Sequence, residues 1–404
     1  MAAVQTIVEE SSAARGKARR EFGVVLLSRL ALNLQGRIIY PFLPAIARGL
    51  GLPLEIATLL LTVRAAVNLS SPIYGVLADR RGRRPLMVAG LALLVGGAAL
   101  VLVAPAFGLV LIAFALLSLS KAVYDPAVLA YLGDAVPYER RGRVFALLSM
   151  MWPTAWLIGV PAAGFLITAY GWQSPFVMVG ALGALSLALM LRMPTVGSAA
   201  AAAPKGASLD HPSSFRASLR LINLSGWLGL AVTLLQVLGS ENVYIVYGAW
   251  LESQFGLNLA AIGIVSLVIC IAEFTAEGAS MAWIDRIGKR RAITGGLMLS
   301  VVAYLLLPHL AATLPGALAG LFLVWMAWDF SIVGTLPLIS QLAPDARGTL
   351  LALNVSAMAV ARLISSLIAV RLWTTGGLAL TTTVSAVCVV LALVILRTGV
   401  HDDG

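Results

Sequence analysis

Gly75-Val76-Leu77-Ala78-Asp79-Arg80-Arg81-Gly82-Arg83-Arg84-Pro85-Leu86-Met87 joins two apolar runs through a short basic loop. One run arrives from Pro53 and the other leaves from Pro85. A connection so short and so charged cannot be a soluble domain. It reads as a tight hairpin between two membrane spans, on the side where Lys and Arg collect.

Composition supports the same reading. The chain has 404 residues, of which 60% are hydrophobic and only 11% charged, with a net charge of +10. Its mean hydropathy is +0.95. A soluble fold of this length needs more polar surface, so a polytopic membrane protein is implied. The basic excess does not point to nucleic acid, because Lys and Arg punctuate apolar runs instead of forming one face. Cys270 and Cys388 lie inside apolar runs, and no disulfide framework is expected. No cleavable leader is expected either: the first apolar run begins near Phe22, is too long, and carries Arg29 and Arg37.

Twelve apolar stretches are long enough to cross a ~30 Å hydrocarbon core. They are helix 1 (Phe22–Ala47), helix 2 (Pro53–Ala78), helix 3 (Pro85–Val103), helix 4 (Phe107–Leu132), helix 5 (Val144–Ala169) and helix 6 (Ser174–Leu191). Then come helix 7 (Ser225–Trp250), helix 8 (Asn258–Ile284), helix 9 (Ala292–Ala312), helix 10 (Gly316–Leu342), helix 11 (Thr349–Leu372) and helix 12 (Gly376–Leu396). Prolines 41 and 44 are expected to interrupt helix 1. Residues 1–21 read as a basic tail, 192–222 as a polar linker and 397–404 as a second tail. The bundles are therefore 22–191 and 223–396. They echo each other: Gly82 and Gly288 lie 206 positions apart, as do Arg141 and Arg347. Positive charge gathers in the first tail and in loops 2–3, 4–5, 6–7 and 8–9, which places both termini in the cytoplasm.

The loop resembles G-x-L-A-D-R-x-G-R-R/K, the signature of the major facilitator superfamily, through Gly75, Leu77, Ala78, Asp79, Arg80, Gly82, Arg83 and Arg84. A degenerate copy follows at Asp285, Arg286, Gly288, Lys289, Arg290 and Arg291. The resemblance implies an all-α membrane protein of twelve transmembrane helices in two pseudo-symmetric six-helix bundles. It also implies a cytoplasmic latch between the halves, formed by Gly75, Asp79, Arg80, Gly82, Arg83 and Arg84. Asp134 would be its partner, and Asp285 and Arg286 would be the counterparts in the second half. Gly159-Val160-Pro161-Ala162-Ala163-Gly164 partly resembles the antiporter signature of the drug-efflux branch, with Val160 in place of the glycine before proline.

An ionisable side chain at bilayer depth costs at least about 2.5 kcal/mol, so each one needs a reason. They are Arg29, Arg37, Arg64, Lys121 and Asp125 in the first half, then Glu241, Glu273, Glu277, Asp329 and Arg362 in the second. Helices 3, 6, 9 and 12 carry none in their interiors, which in the resembled family are the lipid-facing scaffold. Two readings stand. As structural pairs, Lys121 and Asp125 sit one turn apart and can satisfy each other, and Arg362 can neutralise Glu273 or Glu277. As a cavity, Arg37, Arg64 and Lys121 meet an anionic moiety while Glu273, Glu277 and Asp329 bind a proton or a cation. Two carboxylates one turn apart cannot both stay charged cheaply, so one is expected to exchange a proton near neutral pH. Arg29 can snorkel, and Glu241 fits a gate. Asn33, Tyr40, Tyr244, Trp152, Trp156 and Trp328 could line the same cavity or simply pack.

There is no phosphate-binding loop, no H-E-x-x-H and no G-x-S-x-G, so ATP hydrolysis, metal and hydrolase chemistry have no support. The expected function is secondary transport of small organic molecules, by proton-coupled efflux in a plasma membrane. No cofactor beyond the proton gradient and no partner beyond substrate and bilayer are expected, in a monomer that is not an enzyme. Organic-anion uptake or exchange, and lipid flipping on the same fold, are the alternatives.

Overall fold

The computed structural model describes residues 2–103, 106–136, 144, 147–193, 219–343 and 346–400, and among these every regular element is helical. Ten of the described helices are long and apolar enough to cross a membrane. The last of them, Arg347–Thr398, holds two crossings, because Gly377 breaks it with φ 64° and ψ −161°. Helix 2 is a further crossing that no single segment reveals. It consists of Leu54–Ala57, Leu59–Asn68 and Ser71–Arg81. A side-chain hydroxyl sits at each interruption. The hydroxyls of Thr58 and Ser70 donate back to the carbonyls of Glu55 (2.7 Å) and Val67 (2.6 Å), in competition with the backbone ladder. This arrangement accommodates the twelve crossings.

Helix 1 differs from expectation. It runs unbroken from Ala2 to Gly49 with Pro41 and Pro44 inside it, and its backbone extends helically through the expected tail. Helix 5 differs too, with a π-helical turn over Ala155–Gly159. Pro161 explains it. Proline has no N–H for the carbonyl of Leu157, and its ring would collide with that carbonyl in an α-helix. A wider turn relieves both problems.

The two halves repeat each other in space. Gly82 (φ 88°, ψ 150°) and Gly288 (φ 91°, ψ 138°) adopt one conformation that a side chain would strain. Two residues on, Arg84 donates to the carbonyls of Met190, Leu191 and Met193 at the end of helix 6. Arg290 does the same to Leu396 and Arg397 at the end of helix 12. Each guanidinium caps last-turn carbonyls at the negative end of a helix dipole.

Helix 3 packs against helices 4 and 6, and helix 9 against helices 10 and 12. These scaffold helices turn apolar side chains outward, among them Val177, Leu185, Val302, Leu305, Val387 and Leu391. Such a belt is stable against acyl chains and not against water. The halves meet through helices 1 and 7, 5 and 8, and 2 and 11. Contact is tightest on the face that carries loops 1–2 and 7–8. There a Cβ on Gly248 would lie 2.2 Å from the Pro41 carbonyl oxygen, and one on Gly164 would lie 2.6 Å from that of Leu259.

Candidate functional site

A cavity of about 570 Å³ lies between the halves. Helices 1, 2, 4 and 5 supply one wall, and helices 7, 8, 10 and 11 the other. It reaches past Asn68, Leu129 and Val355 toward the face bearing the chain termini. Toward the opposite face it is stopped by the close packing of helix 1 on helix 7 and of helix 5 on helix 8.

Its floor is an ion pair between the halves. Arg37 of helix 1 donates to both oxygens of Glu273 of helix 8, at 3.1 and 3.4 Å. Arg37 is 6% exposed and Glu273 4%, so both are desolvated. Their other atoms are largely satisfied. Arg37 donates to the Tyr244 hydroxyl (3.0 Å), and the Trp156 indole N–H donates to Glu273 (3.2 Å). The guanidinium also lies 3.9 Å from the centroid of the Trp152 ring and 4.8 Å from that of Trp156, a cation–π arrangement. Tyr244 stacks on Tyr40 of the other half at 3.9 Å and packs against Trp325 at 5.4 Å. The π-helical turn carries Trp156 and thereby helps to set this cluster.

Two further pairs flank the floor, each within one half. Arg362 donates to Glu241 at 2.8 Å, linking helices 11 and 7. Asp125 accepts from Lys121 (2.9 Å) and from Arg29 of helix 1. Lys121 also donates to Asn33 at 2.7 Å.

Two charged groups differ from these. The Arg64 guanidinium is aimed at the helix 1 backbone, 3.5 Å from the carbonyls of Gln35 and Gly36, and forms no ion pair among the described residues. Gly36 leaves room for it: a Cβ there would lie 3.3 Å from its nitrogen, a tight contact. Asp329 of helix 10 lines the cavity, and its Oδ2 is buried with no hydrogen-bond partner.

The structure thus gathers Arg37, Arg64, Lys121, Asp125, Glu241, Glu273, Asp329 and Arg362 around one cavity. Glu277 is placed elsewhere. It lies one turn beyond Glu273 but is exposed and off the cavity lining, because helix 8 turns only a narrow face inward. Glu273 and Glu277 therefore do not both face the cavity. Arg362 neutralises Glu241, not either of them, because helices 7 and 11 are neighbours in one half. Trp325 was not singled out from the sequence, since nothing there separates it from a packing tryptophan.

At the termini face, the side chains of Gly75, Asp79, Arg80, Asp134 and Asp285 lie outside those described. Arg83 donates to the Ala130 carbonyl of helix 4, so it and Arg84 both bond within the first half. Arg286 is exposed. On the opposite face Arg48 and Glu252 bridge the halves at 2.7 and 3.1 Å.

Known proteins bear on this geometry. The chain is 26% identical to the class C tetracycline resistance protein of Escherichia coli over 296 residues, 70% of this chain and 72% of that one. Its fold superposes on the D-xylose-proton symporter with a TM-score of 0.76 at 16% identity, covering 95% of this chain and 98% of the other. It superposes on the human organic anion transporter MFSD10 with a TM-score of 0.66 at 20% identity, covering 94% and 99%. A family model described as Major Facilitator Superfamily matches residues 25–366. With two matched bundles around one charged cavity, this multi-pass membrane protein belongs to the Major Facilitator Superfamily of transporters.

Proposed function

We propose that the chain exports small organic molecules in exchange for protons, by alternating access to the cavity from the two faces. Asp329 carries this reading: a carboxylate in the cavity wall, half desolvated, with one oxygen orphaned and no cation in ion-pair range among the described residues. A carboxylate so placed is stabilised by a proton or by a cationic ligand, and the two compete. Similarity to a tetracycline resistance protein supports export. The basic termini face is assigned to the cytoplasm by its charge, so the cavity as it stands is open inward. The protein works as a monomer in a plasma membrane and needs no cofactor.

The test uses proteoliposomes holding a pH-sensitive dye, and a ligand found by thermal-shift screening of metabolites and organic cations at two pH values. Asp329→Asn should abolish ligand-driven proton movement while ligand exchange without a gradient persists. Unchanged proton movement in both Asp329→Asn and Glu273→Gln would end the proton-coupled reading. Arg64 favours a second one, exchange of an organic anion, because among the described residues it is a cation in the same cavity met only by two distant carbonyls. That reading expects pH-independent exchange.

A further inference from the structure

We infer that the cavity binds a zwitterion: a molecule with an anionic end for Arg64, a cationic end for Asp329 and a flat apolar body between them. This rests on the cavity being the transport site and names the class of ligand that fits it. Among the described residues, the lining holds four cationic and four acidic side chains. Six of them form three pairs: Arg37 with Glu273, Lys121 with Asp125, and Arg362 with Glu241. One cation and one acid are left over, and they stand in opposite halves, Arg64 on helix 2 and Asp329 on helix 10.

A ligand that is only a cation would satisfy Asp329 and leave Arg64 with its weak carbonyl contacts. One that is only an anion would do the reverse. A zwitterion compensates both groups at once.

Two orphaned donors in the lining also call for acceptor atoms on the ligand. Asn33 lines the cavity at 1% exposure, and its Oδ1 is taken by Lys121 while its Nδ2 has no partner. The indole N–H of Trp328, next to Asp329 in the lining, is also buried without one. A buried donor without an acceptor is a standing deficit that a bound polar group removes. Tyr40, Trp152 and Trp328, each partly or fully exposed in the lining, offer apolar surface for the body of the ligand. A molecule held at one end by the first half and at the other by the second also draws the halves together, as occlusion requires.

Binding to purified protein in detergent tests this without any gradient, so it can fail while proton coupling stands, or the reverse. The probes are L-phenylalanyl-L-phenylalanine, its C-terminal amide (a cation) and its N-acetyl derivative (an anion), followed by tryptophan fluorescence. The same three forms of phenylalanine serve as a smaller series. In at least one series the zwitterion should bind about tenfold tighter than either singly charged form. Arg64→Gln should make the cation the tightest ligand, and Asp329→Asn the anion, whereas Arg64→Lys should keep the zwitterion first. A reordering of this kind cannot come from loss of fold. The inference is overturned if in both series a singly charged form matches the zwitterion, if no zwitterion binds, or if the order survives both neutralising substitutions.

Discussion

Arg37 and Glu273 show why a charge inside a membrane is a statement about its neighbours. Each is buried, each is the other's counter-ion, and Tyr244 and Trp156 occupy further sites on them. Deleting one partner leaves the other uncompensated, a loss of about 3–5 kcal/mol for buried pairs. Arg37→Met should therefore lower the melting temperature in detergent sharply, while Arg37→Met with Glu273→Met should regain most of it. A double variant no more stable than the single one would show that the pair does not hold the fold together. The residues were legible in the sequence as a set, because any ionised group at bilayer depth stands out. Their partners were legible only where both lie on one helix. Lys121 and Asp125, one turn apart, could be paired by counting, whereas Arg37 and Glu273 are 236 positions apart.

At the scale of elements, small residues and one proline set how the halves touch. Gly248 lets helix 7 rest directly on the Pro41 carbonyl of helix 1. Overpacking there should cost about 1–3 kcal/mol in the conformation closed on this face, a shift of roughly one to two powers of ten in a two-state equilibrium. Gly248→Val is thus expected to hold the protein open on the loop 1–2 face, read as increased labelling of a cysteine placed at Glu252. Equal labelling in both backgrounds would exclude it. In helix 5, Pro161→Ala restores the N–H that the Leu157 carbonyl lacks and removes the clash that opens the π-helical turn. The helix should then tighten and rotate Trp156 off Glu273, seen as a red shift of tryptophan emission and loss of transport. An unshifted spectrum would mean that neighbouring helices, not Pro161, impose the turn.

For the whole molecule, the closed face is pinned at its rim by Arg48 and Glu252, one from each half. The pair is exposed and contributes about 1 kcal/mol or less by itself. It marks a point where the halves must separate if alternating access is the mechanism. A disulfide formed by Arg48→Cys with Glu252→Cys should abolish transport, and reduction should restore it. The native thiols are few and buried, Cys270 and Cys388, so background cross-linking is low. Transport unaffected by complete cross-linking would mean that this rim need not open.

The sequence by itself determined the class, the crossings, the doubled plan and the list of buried charges. Those follow from one-dimensional facts: runs of apolar residues as long as a bilayer is thick, and a 206-residue echo of Gly82 at Gly288. The tertiary structure decided which charges cancel. It set Glu277 outside the cavity, gave Glu241 to Arg362, and left Arg64 and Asp329 unmatched on opposite walls. Pairing depends on helix rotation and on contacts between distant helices, and apolar periodicity in a membrane protein sets neither. Lipid and protein interior are equally oily, so the residues themselves do not say which side of a helix faces inward.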